Sequence, residues 1–478
     1  MQVQAIPLTP IPTDLTVWKA STPWQTVRSM LGLVLVCFFI AQISVFVVAG
    51  FVDGDLNGTP GPFEPFFTFI GGICLSPFLM LFFYLRRPRL THSITAEPHQ
   101  NGAYQHILVG GSVIQSPVPT LVRHHLFRST APLEMPRPLH LWALFFGGVI
   151  LSSVCLLPLM IFGPNVLSIM LALVIVLPAW LIGFAAPVFA WWSISSRHLG
   201  INISRRDAEW ILAAGMLSTI PAIIINSLIS PLMLNVIGLD AMEVGSWGEG
   251  FILFLSAPIG EELSKALAVL ALSHLILSPK HGFYVGSTVG LGFALLENAQ
   301  YISMALVGDY SSISYFFTAM LRGISSIPGH ALWTGLSGYA IGCWMGRGNR
   351  LPLLSDRSSY VTAKSNAKWV LYNKNGTPET TTGWANMPSE RMMKFVSKLE
   401  KHSWNLPRTV PAGIAAAILG HGLWNGTSWG VSKILADADT LLSVALQLSW
   451  LVIMIATLWL FILRWLPSIV LDAQDGPF

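Results

Sequence analysis

The chain has 478 residues, 53% of them hydrophobic and only 10% charged, with a formal net charge of +4. A soluble globular chain carries about 25% charged residues, so this composition excludes an ordinary cytosolic enzyme. The excess of Lys and Arg is what membrane proteins collect on cytoplasmic loops; it assigns no nucleic acid as a partner, and the implied surroundings are a lipid bilayer.

Residues 1–28 form a polar, Pro-containing amino-terminal segment. The first apolar block, 29–51, is longer than the roughly 7–15-residue core of a signal peptide and is expected to remain as a span. Further blocks bounded by charges, Pro and Gly lie at 66–85, 140–162, 168–194, 209–236, 250–276, 282–306, 314–346, 409–432 and 441–464. Each is near the length of about 20 residues that crosses the hydrocarbon core. The predicted fold class is all-α: a polytopic transmembrane helix bundle of about ten spans. Cys37, Cys74, Cys155 and Cys343 each sit inside an apolar block with no CxxC pair, and read as small packing residues.

Loop charges orient the bundle, because short loops rich in Lys and Arg face the cytoplasm. Arg86, Arg87, Arg89, Arg123, Arg128 and Arg137 follow the second span, Arg197, Arg205 and Arg206 the fourth, and Lys280 the sixth. The alternate connectors carry Asp53, Asp55, Glu64, Asp240, Glu243, Glu249, Asp309, Asp437 and Asp439. Both termini, including the tail 467–478, are then cytoplasmic. The amino-terminal helices occupy 29–204 with a cytoplasmic loop at 86–138; a core follows at 205–346, a cytoplasmic insertion at 347–408, and the remaining spans at 409–466. The loop 86–138 holds His92, His99, His106, His124 and His125; their spacing matches no ligand pattern, and a solvated loop is expected.

Charge at the centre of a membrane helix costs roughly 2.5–3.5 kcal/mol and usually marks function. The sixth span contains Glu261, Glu262 and Lys265, the seventh Glu297, the eighth Arg322 and His330, and the ninth His421 and Asn425. Residues four apart share a helix face, so Glu261 pairs with Lys265, Phe293, Glu297 and Tyr301 form one stripe, and His421 and Asn425 another. Glu262 points about 100° away from Glu261, into different surroundings. Glycines four apart (Gly286 and Gly290; Gly338, Gly342 and Gly346; Gly422, Gly426 and Gly430) allow helices to approach closely.

EExxK, FxxxEN, a mid-span His preceded by an Arg, and HxxxN, each on its own span in this order, resemble the PrsW-type intramembrane proteases. Those belong to a wider group with the CAAX prenyl endopeptidases and bacteriocin-processing membrane proteins. The resemblance covers roughly 205–435. Glu297, where the prenyl endopeptidase branch has a histidine, places the chain on the PrsW side. The chain departs from a minimal member by extra amino-terminal spans and by the long insertion before the fourth motif.

The resemblance implies an intramembrane endopeptidase in the cell membrane of a prokaryote, acting on membrane-anchored or membrane-proximal protein substrates in regulated proteolysis. It implies catalytic roles for Glu261, Glu262, Glu297, His330, His421 and Asn425. Peptide hydrolysis needs an activated water, oxyanion stabilisation and a proton donor. Glu261 or Glu262 is expected to be the base, His421 and Asn425 the oxyanion donors, and Glu297 and His330 the groups that position water or shuttle its proton. Lys265 and Arg322 are supporting counter-charges. The same residues also suit zinc or another divalent metal, with Glu262, Glu297, His330 and His421 as ligands. An ion- or proton-coupled transporter is the alternative for such a cluster, and a scaffold whose polar residues only hold helices together is a third.

Overall fold

The computed structural model describes residues 6–7 and 23–471, apart from 57–59, 88–89, 108–112, 129–132, 164, 202, 241–242, 244, 308–310, 347–369, 373–377, 380–389 and 437–439. Most of these residues are helical. The amino-terminal half contributes α1 (Pro23–Val52), α2 (Pro65–Leu85), α3 (Pro138–Phe162) and α4 (Val166–His198). Next come α5 (Arg205–Leu217), α6 (Thr219–Ile224) and α7 (Ser230–Val236), which run on through a π-helical turn at Ile225–Ile229. A second π-helical turn, Ile252–Ser256, joins α8 (Trp247–Phe251) to α9 (Ala257–Ala271). The core continues with α10 (Pro279–Ala305), α11 (Ser311–Ile324) and α12 (Ser326–Gly346), and ends in α13 (Glu390–Leu399), α14 (Val410–Ile434) and α15 (Thr440–Val470).

Six helical segments among the described residues are long and apolar enough to cross a membrane: α1, α2, α3, α4, the α5–α7 run and α15. The expectation of about ten spans is therefore not met by length and hydropathy. The reason is chemical. The shortfall lies in α8–α9, α10, α11–α12 and α14, which carry the charged motifs or stretches of Gly and Ser. The block at 314–346 is also not one helix but two, broken at Ser325.

Of those polar helices, α10 and α12 are screened by the others. α10 is buried along nearly its whole length and packs mainly against α12, then α5 and α4. The crossing with α12 is glycine-tight. A Cβ added at Gly290 would come within 2.7 Å of the carbonyl carbon of His330, and one at Gly286 within 3.0 Å of Gly338 Cα. Close backbone approach of this kind is the use of small-xxx-small spacing; here it brings the helix bearing Glu297 against the one bearing His330.

The fold is not purely α. β2 (Leu90–Ile107) and β3 (Val113–Arg128) make an antiparallel hairpin where a solvated loop was expected. β1 (Ile6–Pro7), β4 (Val370–Tyr372) and β5 (Pro378–Glu379) extend it into a five-stranded sheet in the order β1-β2-β3-β4-β5. Three separate segments thus share one sheet: the amino terminus, the loop 86–138 and the insertion 347–408. Pro98, Pro117 and Pro119 hide the strand alternation in the sequence, and the register shifts between Pro98 and Ala103. His106 is buried in this sheet, its Nε2 2.7 Å from Thr120 Oγ1, and His99 Nδ1 accepts from the Asn101 amide. The side chains of His92, His124 and His125 lie outside the described residues.

Candidate active site

The charged motifs converge on one buried cluster. α9 supplies it with three side chains from a single turn, since residues three and four apart on a helix are neighbours. The Lys265 ammonium donates to Glu262 Oε1 at 2.8 Å and to Glu261 Oε2 at 3.2 Å. Its third acceptor is His330 Nδ1, 2.9 Å away. Lys265 Nζ also lies 3.8 Å from the centre of the Phe293 ring, in cation–π contact. Lys265 and Glu262 have no solvent exposure.

The two neighbouring glutamates do meet different surroundings. Glu262 has both oxygens engaged: Oε1 with Lys265 and with His421 Nδ1 at 3.1 Å, Oε2 with the Thr334 hydroxyl at 3.1 Å. Glu261 accepts from Asn226 Nδ2 at 3.2 Å and faces His421 Nε2 at 3.8 Å. A separation of 3.8 Å is too long for a hydrogen bond. The imidazoles of His330 and His421 stand edge to face, ring centres 5.1 Å apart.

Glu297 closes the other side of the cluster. It accepts from Arg322 and lies 2.9 Å from His330 Nε2. Arg322 also donates to Asn298 and lies over the Tyr301 ring at 3.8 Å. Although Arg322 and His330 fall in one apolar block, they sit on different helices.

A cavity of about 650 Å³ reaches this cluster, with Glu297, Arg322, His330, His421 and Asn425 in its wall. Trp333, Trp424 and Trp429 also line it, as do Gly245 and Glu249 at the start of α8 and Lys433 in the last turn of α14. Asn425 lies one turn beyond His421 and faces the cavity rather than the buried carboxylates.

Two partners were not singled out in the sequence, Asn226 and Thr334, whereas Asn298 is the last residue of FxxxEN. Asn226 interrupts the apolar run IIINSLI, and Thr334 follows His330 by one turn, but one amide or hydroxyl in such a run is common. Glu209 was also passed over. It is fully buried and bound by Arg86 at 3.1 Å, Arg205 at 2.9 Å and Arg206 at 3.0 Å, so Arg86 ties the end of α2 to α5, while Arg205 and Arg206 bind Glu209 from the first turn of its own helix.

Residues 207–358 match the sequence model of the PrsW family intramembrane metalloproteases. That segment is a PrsW-family intramembrane peptidase domain. It runs from α5 past α12 and contains Glu261, Glu262, Lys265, Glu297, Arg322 and His330, while His421 and Asn425 follow it on α14. No curated protein and no solved structure matches the chain. The chain is accordingly an integral membrane peptidase, and a transporter finds no support.

The donor set can be compared with the metal that the family implies. Glu261, His330 and His421 offer ligand atoms all within 4.8 Å of one another, every one of them buried. Two histidines and a glutamate are an ordinary catalytic zinc shell. Each imidazole is also anchored by a carboxylate through its other nitrogen, His421 by Glu262 and His330 by Glu297, as metal-bound histidines usually are. The residues therefore fit a divalent cation, and the donors that come together are Glu261, His330 and His421, where the sequence suggested Glu262, Glu297, His330 and His421. Lys265 holds His330 Nδ1, so a cation bound there competes with the ammonium.

Proposed function

We propose that the chain hydrolyses peptide bonds of membrane-anchored or membrane-proximal proteins, with Glu261 as the group that acts on water and Glu262 and Glu297 as positioning residues. The convergence of Glu261, His330 and His421 from three helices beside a cavity carries this reading. Glu262 is saturated by Lys265, Thr334 and His421, so its role is to fix the His421 ring and balance the ammonium. Glu261 keeps an oxygen directed toward His421, at a spacing that leaves room for a shared water or cation.

In this reading Glu261 draws the proton from water, the general-base task. His421 and Asn425, one above the other on α14 at the cavity wall, donate to the oxyanion of the tetrahedral intermediate. The protonated Glu261 then returns that proton to the leaving amine, while His330, held between Glu297 and Lys265, positions the water. A divalent cation held by Glu261, His330 and His421 would add Lewis-acid polarisation and a more acidic water. The cavity extends along α14 toward Lys433 and Gly245, the side that loop charges assign to the exterior, and substrate is proposed to arrive from there.

The test reconstitutes the purified protein in lipid with candidate single-span substrates and compares wild type with Glu261→Gln, Glu262→Gln and His421→Ala. Glu261→Gln is expected to lose at least about 10²-fold in rate, the lower end of the effect of a single acid–base group. Equal cutting by all four proteins would overturn the assignment. Metal content measured in the same preparations separates the two routes: a cation held by this group falls away in His330→Ala and His421→Ala, whereas a glutamate–water enzyme shows none to lose.

A further inference from the structure

The carboxyl-terminal part of the cytoplasmic insertion is docked on the last membrane helix. On α13, Met392 and Val396 join the core cluster formed with Trp465, Leu466, Ile469 and Val470 of α15. Met393 and Phe395 flank that stripe on either side and remain 37% and 45% exposed. Lys394 and Lys398, exposed, lie opposite the buried stripe, and Lys401 follows one turn on. Between 390 and 408 five Lys and Arg stand against two Glu.

The height of this element is fixed by hydrogen bonds. The Trp404 amide donates to Arg464 O at 2.9 Å, and Ser468 Oγ donates to Trp404 O at 2.8 Å. The Trp404 ring packs on Phe461 and Trp465 at 5.6 and 6.2 Å. α15 has 31 residues, about 46 Å at the helical rise, against a hydrocarbon core of about 30 Å. Its final turns, where Arg464 stands, therefore reach the headgroup layer. Tryptophans gather at this depth, and a basic helix with an apolar flank lies in the plane of the interface.

We propose that α13 and Lys401 form an interfacial element that binds anionic phospholipid headgroups on the membrane face where α15 ends. Phe395 enters the acyl boundary, and Lys394, Lys398 and Lys401 meet headgroup phosphates. Ten residues on, at Val410, α14 begins, so lipid engagement at α13 bears on the height of the helix that carries His421 and Asn425. The inference does not rest on the peptidase reading.

The test uses the full chain carrying Phe395→Cys with the exposed Cys74 replaced by serine, labelled with an environment-sensitive fluorophore and reconstituted in vesicles. Brominated phosphatidylcholine and brominated phosphatidylglycerol are compared as quenchers in mixed vesicles, with aqueous iodide as the opposing probe. Phosphatidylglycerol is expected to quench more strongly, its local enrichment being on the order of fivefold per engaged lysine. Lys394→Glu/Lys398→Glu/Lys401→Glu should abolish that preference; 0.5 M salt should weaken it in the unaltered lysine background, a readout independent of how the triple variant folds. Quenching by iodide instead of lipid, equal quenching by the two lipids, or a preference indifferent to salt would each overturn the proposal, the first pointing to a protein partner or open solvent.

Discussion

Replacing Lys265 by methionine removes an ammonium that touches two carboxylates and an imidazole inside the bundle. Its nitrogen is 2.8 Å from Glu262, 3.2 Å from Glu261 and 2.9 Å from His330, with no solvent exposure. Breaking a buried ion pair by removing one partner costs about 3–5 kcal/mol, because the remaining charge is left uncompensated. Two carboxylates are left behind here, so Lys265→Met should fall at the upper end of that range. Adding Glu262→Gln removes one of the stranded charges and keeps the shape of its side chain. The double variant should then recover part of the loss, with a coupling energy of about 1–3 kcal/mol, the size seen for residues within one network. Neither variant should cut substrate, since His421 and His330 lose their fixed neighbours. The assay is reversible unfolding in mixed micelles followed by circular dichroism, for wild type, both single variants and the double. A coupling energy below about 0.5 kcal/mol, with Lys265→Met as stable as wild type, would refute the view that this lysine is the electrostatic centre of the site.

Arg322→Leu should lower the rate by about 10²-fold, the effect of misplacing a catalytic group by roughly 1 Å, since Arg322 and His330 share Glu297. Arg322→Lys should be intermediate, because an ammonium cannot reach Glu297 and Asn298 with a planar fork; kinetics on the three proteins check the order. Gly290→Val should cost about 1–3 kcal/mol by overpacking and shift His330, whose carbonyl carbon would lie 2.7 Å from the new Cβ. Gly430→Ala, where a Cβ meets nothing within 4 Å, should leave melting and activity unchanged. In the sheet, burial holds His106 below its usual value of 6.5. The unfolded hairpin therefore binds the proton more readily, and sheet stability should be complete above about pH 6.5 and fall as pH drops below it. Hydrogen exchange of β2 and β3 between pH 7.5 and 5.5 reads this out, and His106→Gln should remove the dependence.

Much of the site was legible because misplaced charge in an apolar block is rare. Glu261, Glu262, Lys265, Glu297, Arg322, His330, His421 and Asn425 all stood out against their surroundings in the sequence, and helical periodicity alone separated the faces of Glu261 and Glu262. The neutral partners Asn226 and Thr334 did not stand out, because single amides and hydroxyls are common in membrane helices and gain meaning only from what they touch. The sheet was hidden for another reason. β1, β4 and β5 are each two or three residues long, too short for any alternation to register, and they pair with a hairpin from a different part of the chain.

The sequence by itself determined that the chain lives in a membrane, that four consecutive apolar blocks carry reactive side chains, and which residue types those are. Composition and periodicity are local properties, and they suffice for that. Only the tertiary structure decided which carboxylate serves which imidazole: Glu262 with His421, Glu297 with His330 and Arg322, and Glu261 left beside the two rings. These pairings join residues up to 159 positions apart, and they depend on the glycine-tight crossing of α10 with α12. Where two helices cross is not carried by spacing along the chain.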